Sequence, residues 1–423
     1  MAHIVVLGAG VGGMSAAYEL RKALGKDHRI TVLAESDRFS FTPSNPWVAV
    51  GWRTADAVKV GIAAPLARHD IALSTVGARR VDPAGNQVLL RDGSAIGYDF
   101  LVIATGPRLA FEEVPGLGPD AHSHSICTTG HAQSAWQDYQ RFVQDPGPVV
   151  VGAAAGVSCF GPAYEYAMIL DTDLRRRRIR DRVPITYITS EPWLGHMGLG
   201  GVGDSRGLLE HQFRQRHIQW IANARVTAVD AEAVHYEQLD EQGTLVRQGS
   251  IPAVFRMIMP PFTGVAAVRE APGLGNPRGF VPIDGHQRHP DFHNIYAAGV
   301  CVAIPPVEPT PVATGAPKTG YMIESMVSAL CENIRLELAG QAPAARATWN
   351  AICLADMGDT GAAFVALPQM PPRNVTWAKV GKWVHLAKIA FEKYFLRKIR
   401  TGNVEPVYEK YVMKALGIFR LKS

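Results

Sequence analysis

His3-Ile-Val-Val-Leu-Gly-Ala-Gly-Val-Gly-Gly-Met-Ser-Ala-Ala-Tyr-Glu-Leu20 decides the fold. Ile4 to Leu7 is an uninterrupted apolar run, as in a strand buried on both faces. Gly8, Gly10 and Gly13 follow in G-x-G-x-x-G spacing, with Ala9 between the first two. Ser15 to Leu20 then read as helix. The glycines serve a tight turn, close approach of backbone to a pyrophosphate, and close packing of helix on strand. The helix start offers free N–H groups and the positive end of its dipole to phosphates. Arg29-Ile-Thr-Val-Leu-Ala-Glu35 is a second strand, ending in an acid about 20 residues on, where a ribose hydroxyl needs an acceptor. An ordinary glycine-rich turn accounts for the glycines alone. It does not account for strand, glycines, helix, strand and acid in that order, which predict a dinucleotide-binding unit.

The 423 residues allow two or three domains. A composition of 47% hydrophobic and 19% charged residues is that of an ordinary folded protein. The net charge of +5 is unevenly spread: Lys379 to Arg400 carries seven Lys/Arg against one Glu, so the remainder sits near −1. No general polyanion surface results, and nucleic acid is not expected as a partner. No run of 18 apolar residues predicts a membrane-spanning helix. The first strand starts at residue 3, which predicts no leader and a location on the cytoplasmic side. Cys127, Cys159, Cys301, Cys331 and Cys353 are odd in number and lack C-x-x-C or zinc-ligand spacing. Neither a structural disulfide framework nor a metal site is expected, and any disulfide here would be catalytic.

Phe39-Ser-Phe-Thr-Pro-Ser-Asn-Pro46 reads as a loop near the nucleotide, with Thr42 in it. Ala72–Val76 and Gln87–Leu90 read as strands. Phe100-Leu-Val-Ile-Ala-Thr-Gly106 is another buried strand, and its ending through Thr105 and Gly106 is similar to that of two-dinucleotide flavoproteins. Pro148-Val-Val-Val-Gly152 opens a second unit, but Gly152-Ala-Ala-Ala-Gly156 lacks the middle glycine and is one residue short. The strand Pro184–Thr189 runs into Thr-Ser before Glu191, with no clearly placed ribose acceptor. The expectation is a Rossmann-like domain without its NAD(P)H site. Asn294-Ile-Tyr-Ala-Ala-Gly299 returns to the first domain, with Val300 where flavoproteins of this class carry Asp. Lys318-Thr-Gly320 then opens a helix behind a proline-rich loop. Lys318 there suits the pyrimidine edge of a flavin; a solvent-exposed lysine at a helix start reads the same way.

Cys159 falls where the second Rossmann helix should begin, and helix N-termini favour the thiolate. Glu165, six residues on, could move protons. Cys127 lies four residues before His131, and Cys353 lies in Trp349-Asn-Ala-Ile-Cys-Leu-Ala-Asp356. Taken singly, each is equally a buried, inert cysteine. Cys331 keeps that inert reading, and Cys301 is ambiguous.

Four stretches together resemble the sulfide:quinone oxidoreductase family, FAD-dependent members of the flavoprotein disulfide reductase superfamily. They are Val157-Ser-Cys-Phe-Gly-Pro-Ala-Tyr-Glu165, Gly299-Val-Cys-Val-Ala-Ile-Pro-Pro306, Pro317-Lys-Thr-Gly320 and Cys353-Leu-Ala-Asp-Met-Gly-Asp359. The resemblance implies an α/β fold with two Rossmann-like, glutathione-reductase-like domains and a C-terminal amphipathic helical membrane anchor. The expected divisions are 1–112 and 256–340 for FAD, 113–255 for the degenerate second unit, and 341–423 for the redox cysteine, membrane and quinone region. It further implies Cys159 and Cys353 as the redox pair, Cys127 as the third cysteine, and Glu165, His131 and His196 as acid/base residues; a lone histidine such as His196 is equally a structural one. FAD would lie on Gly8, Ala9, Gly10, Gly13, Glu35, Thr42, Thr105, Gly106, Gly299, Val300, Lys318, Gly320 and Lys388. Sulfide would attack the Cys159–Cys353 bridge and leave a persulfide, with electrons passing through FAD to membrane quinone.

From Trp377 onward the pattern reads as helix. Val380, Trp383, Val384, Ala387, Ala390, Phe391 and Tyr394 project onto one face, with Lys379, Lys382, Lys393, Arg397 and Arg400 opposite. Tyr408, Tyr411, Val412, Ala415, Leu416 and Phe419 suggest a second such helix. A basic face beside an aromatic stripe predicts a helix lying in a membrane interface; packing on the core or on a partner subunit gives the same pattern. Lys388 falls at the edge of the stripe, where a cation is costly unless it faces a partner or snorkels. By resemblance, Phe391 and Tyr408 would line the quinone site. The expected protein is a peripheral homo-oligomer on the cytoplasmic face of the inner membrane. The competing activities are an NADH:quinone oxidoreductase of the same fold, a flavocytochrome-type sulfide dehydrogenase, and a flavin redox sensor without turnover.

Overall fold

A computed structural model describes residues 1–405. Strand β1 (His3–Leu7) leads through the glycine loop into helix α1 (Val11–Leu24) and then β2 (Arg29–Leu33), β3 (Ala72–Ser74) and β4 (Phe100–Ile103). Helix α2 (Thr129–Phe142) carries the chain to a second unit: β5 (Val149–Ala153), α3 (Gly161–Arg176), β6 (Ile185–Thr189), β7 (Ile218–Ile221) and β8 (Phe255–Met259). The chain returns with β9 (Ile295–Ala297) and α4 (Gly320–Leu338). It ends in β10 (Ala351–Asp356), β11 (Gly361–Leu367), β12 (Val375–Val380) and α5 (Lys382–Thr401).

The first sheet is parallel, in the order β9-β4-β1-β2-β3. Ile4 and Val6 face the helices α1 and α4, and Val5 and Leu7 face the other side; none is more than 4% exposed. Burial on both faces explains the unbroken apolar run. The second sheet, β7-β6-β5-β8, is also parallel. The last three strands form an antiparallel sheet in which Cys353 lies opposite Phe364. This is the mixed α/β flavoprotein architecture expected.

Two local expectations are corrected. Residues 39–46 are not a plain loop: Arg38–Ser40 is a strand, Thr42–Ser44 a 3-10 turn and Asn45–Ala49 a short helix. Pro43 and Pro46 occupy first-turn positions of the two helical pieces, where the missing N–H costs nothing. Trp377 to Val380 is not helical either. It is the edge strand β12, paired with β11, and helix starts only after Gly381.

The apolar stripe of α5 is turned to the protein, not outward. Val384, Ala387, Phe395, Leu396 and Ile399 are buried, and Phe391 packs against Phe41, Phe395 and Tyr321. Lys398 is fully buried and binds Glu324 of α4 at 2.5 Å. The Tyr18 hydroxyl of α1 donates to the Ile399 carbonyl at 2.9 Å. Lys379, Lys382, Lys393, Arg397 and Arg400 are exposed as expected. Periodicity alone does not tell a face that meets protein from one that meets lipid. Among the described residues no helix is long and apolar enough to cross a membrane. The second amphipathic segment, Tyr408 included, lies outside the described residues.

Candidate active site

Gly8 has φ +111°, and a β-carbon on it would stand 2.4 Å from the Ala104 carbonyl oxygen. A β-carbon on Gly13 would stand 1.9 Å from the Gly8 carbonyl oxygen. Both positions exclude every side chain. At Gly10 a β-carbon would meet nothing within 4 Å. The loop is closed where helix meets strand and open where a pyrophosphate approaches. Gly10 caps α1 without any side-chain hydrogen bond, so the first N–H groups remain for an anion. These residues fit a dinucleotide. Around the loop stand Thr105 and Gly106 after β4, Gly299 and half-buried Val300 after β9, and Gly320 at the start of α4. Glu35 is exposed just past β2 and ion-pairs with Arg91. Thr42 is exposed in its 3-10 turn.

Three cysteines meet beyond this loop. Cys159 precedes α3, and Cys353 comes from β10, 194 positions later. A β-carbon on Gly161, two residues past Cys159, would lie 3.4 Å from Cys353 Sγ. Charge on Cys159 raises the pKa of both Cys353 and Cys127. Cys127 Sγ lies 3.8 Å from Met259 Sδ. The three thiols border one core cluster. All are free thiols, and burial pushes Cys159 up to about 11 and Cys127 and Cys353 up to about 12. The thiolate expected from the helix start is therefore not favoured. The Gly161 N–H and the Lys318 ammonium do lower Cys159, but burial outweighs both. Lys318 is buried, not solvated, and stands 5.4 Å above the Phe280 ring. Burial lowers it to about 8, while the Cys301 and Cys159 thiols pull it back up.

Helices α3 and α5 bring a second charged pair together. Lys388 Nζ binds Glu165, with side chains only 4% and 7% exposed. Lys388 also lies 5.1 Å above the Trp47 ring. Burial lowers Lys388 to about 7, opposed by Glu392 one turn along. Its position at the edge of the apolar stripe is explained by this partner, not by snorkelling.

A family model described as pyridine nucleotide-disulphide oxidoreductase matches residues 2–320. The sulfide-quinone reductase of Aquifex aeolicus is 43% identical over 414 residues, 97% of this chain and 94% of that one. The chain belongs to the sulfide:quinone oxidoreductases. The crystal structure of the Aquifex aeolicus sulfide:quinone oxidoreductase superposes with a TM-score of 0.93, covering 99% of this chain and 96% of that one. The mitochondrial sulfide:quinone oxidoreductase of Dictyostelium discoideum is 24% identical over 311 residues, 70% of this chain and 64% of that one. NDH2 from Plasmodium falciparum, solved with NADH, shares the fold over both whole chains at a TM-score of 0.72 and 13% identity.

The second loop of this sulfide:quinone oxidoreductase chain is hydrogen-bonded to its own backbone. Gly156 N–H donates to the Ala313 carbonyl and Gly315 N–H to the Val157 carbonyl, each at 3.0 Å. Segment 313–315 thus lies against the loop. Glu191 is turned inward and fully buried. It accepts from Tyr164 Oη at 2.6 Å, Thr189 Oγ1 at 2.7 Å and Met197 N at 2.6 Å. Burial raises its carboxyl to about 7, and no ribose acceptor is left at this strand end.

Each of the two histidines has partners of its own. His196 Nδ1 accepts from Gly198 N–H at 3.2 Å, so its Nε2–H donates to Glu308 at 2.8 Å. His131 sits in the first turn of α2 with its ring against Phe111, and burial lowers its pKa. Cys301 donates to the Ile103 and Ala298 carbonyls. Cys331 is buried in α4 beside Ala16. Sequence reasoning missed Trp47, Asp356 and His385. Trp47 Nε1–H donates to Asp356 at 2.6 Å, and Asp356 binds His385 Nδ1 at 2.7 Å. The polar end of the quoted Cys353–Asp359 stretch was the available signal.

Proposed function

We propose that the protein oxidises sulfide at Cys159 and Cys353 with FAD as cofactor and passes the electrons to quinone. The observation that carries this is the meeting of Cys159, Cys353 and Cys127 from three separate stretches, with the Lys318 ammonium acting on Cys159. Gly8, Gly10, Gly13 and the start of α1 would hold the FAD pyrophosphate, and Lys318 its pyrimidine edge. FAD, when bound, supplies a reversible two-electron acceptor between the two substrates.

The residues do the rest. Cys159 and Cys353, free thiols in this structure, would give up two electrons and two protons to close a Cys159–Cys353 bridge, with bound FAD as the acceptor, and hydrosulfide attacks that bridge. One S–S bond breaks and another forms, leaving a persulfide on Cys159 and a thiolate on Cys353. The buried cation of Lys318 stabilises negative charge on Cys159 as it develops. Cys127, on the same core, receives sulfur as the product leaves. His131, His196 and Glu165 are the acid/base candidates of this reading, with Glu165 the best placed. Lys388, which burial brings down to about 7, would hold a proton against Glu165, and Phe391 would receive the quinone ring with Tyr408. The exposed basic residues of α5 and β12 would rest on an anionic membrane surface as a peripheral anchor. The cytoplasmic face of the inner membrane and a homo-oligomeric assembly complete the proposal.

The NADH:quinone alternative is disfavoured by the self-bonded second loop and the inward Glu191. Anaerobic addition of sulfide to the FAD-loaded protein should bleach the flavin, and a quinone analogue should restore it. A flavin left oxidised by sulfide would overturn the proposal.

A further inference from the structure

A cleft of about 650 Å³ opens between the degenerate glycine loop and the segments 302–306 and 313–318. We infer that this cleft is the entry for hydrosulfide to Cys159, with the Arg278–Glu113 pair at its mouth acting as an electrostatic gate. This rests on the function proposed above.

The inner end is built for a small anion. Ser158, the residue before Cys159, lines the cleft and is 5% exposed. Its Oγ is buried and has no hydrogen-bond partner among the described residues. A buried hydroxyl without a partner is costly, and an arriving sulfur anion would accept its proton. Lys318 lines the same end, and its ammonium acts electrostatically on the Cys159 thiol. The cleft therefore ends at the neighbour of the reacting cysteine and at a fixed cation together. Its walls are largely apolar, including Phe280, which suits a weakly hydrated sulfur anion better than a strongly hydrated oxyanion.

The outer end carries one charge of each sign. Arg278 Nη1 lies 3.0 Å from Glu113, and Arg278 Nη2 donates to the Phe262 carbonyl at 3.0 Å. The same guanidinium is 3.7 Å from where a side chain on Gly156 would begin. Arg278 and Glu113 are 47% and 36% exposed, so both face the approaching ion. A cation here draws an anion in and a carboxylate repels it. A bulky neutral quinone has no use for such a mouth, and Phe391 receives it on α5.

Stopped-flow measurement of flavin reduction by sulfide in the FAD-loaded full chain tests the gate. At low ionic strength, Arg278→Gln should lower the second-order rate constant about three-fold and Glu113→Gln should raise it about two-fold. Arg278→Lys should restore most of the loss. Both shifts should shrink in ~0.5 M salt, where screening reaches only a few Å. Reoxidation of the flavin by a soluble quinone should be unchanged in all three. A salt bridge with a purely structural role would make the first two variants fall together. That outcome, or no change in either, overturns the cleft assignment while leaving sulfide oxidation standing. A flavin that sulfide does not reduce in the unaltered protein overturns the proposed function and the cleft with it.

Discussion

Removing both members of the Lys388–Glu165 pair should cost much less than the sum of removing each alone. Lys388→Met nearly conserves volume but leaves a buried carboxylate without its cation. Breaking a buried pair typically costs 3–5 kcal/mol, and here about 3 kcal/mol is expected, because 7% of the Glu165 side chain still reaches solvent. Glu165→Gln leaves Lys388 with Glu392 and the Trp47 face, so about 2 kcal/mol is expected. The double variant has no uncompensated charge and should also lose about 2 kcal/mol, giving a coupling of about 3 kcal/mol. Equilibrium urea unfolding of the FAD-loaded protein, followed by circular dichroism, measures all three. The kinetic readout is separate. Lys388→Met should leave flavin reduction by sulfide within about two-fold, while reoxidation by quinone slows roughly a hundred-fold through loss of a positioned proton. A double variant whose loss equals the sum of the singles refutes the coupling. Reoxidation at the unaltered rate refutes the proton role.

Cys159→Ser and Cys353→Ser should each keep bound FAD yet lose at least about a thousand-fold in sulfide-dependent flavin reduction, whereas Cys331→Ser should be unaffected. NADH should leave the flavin oxidised in an anaerobic titration, because segment 313–315 lies against the second loop; rapid bleaching would contradict that. Glu191 gives a stability signature. Its carboxyl sits at about 7 when folded, against 4.5 for an unperturbed glutamate. The folded chain therefore holds a proton that the unfolded chain has lost between those values. Stability should fall by about 3 kcal/mol as pH rises through that window, and Glu191→Gln should flatten the melting temperature there. Flotation with anionic liposomes should weaken on replacing Lys379, Lys382, Lys393 and Arg397 by Gln, by about 1 kcal/mol per charge near the surface; unchanged flotation would remove these residues from the membrane contact.

The dinucleotide unit was legible in the sequence because three local signals agree: a two-sided apolar strand, glycines that sterics make obligatory at Gly8 and Gly13, and an uncapped helix start. The departure of the second glycine loop from the first was legible from its missing middle glycine. That segment 313–315 lies against the loop was not, since the two stretches lie more than 150 positions apart. The convergence of Cys159 and Cys353 came from family resemblance; no periodicity relates them. The orientation of α5 was misjudged because an apolar stripe looks the same against Phe41 as against lipid. Two of its six basic residues, Lys388 and Lys398, are spent on buried carboxylates, which composition counts as surface charge. Trp377 was read as helical because its neighbours fit a helical projection, while the strand pairing that claims it comes from Gly361–Leu367.

The placement of Cys353 on β10 also has a consequence for biosynthesis. A ribosome adding about 5–20 residues per second makes Cys159 and then needs roughly 10–40 s to reach the second sulfur, 194 residues on. During that interval the nascent chain has the glycine loop of its first unit, gains Lys318 and Gly320 only near the end, and still lacks the partner thiol. Reactive sulfur chemistry is thereby withheld until translation is nearly finished.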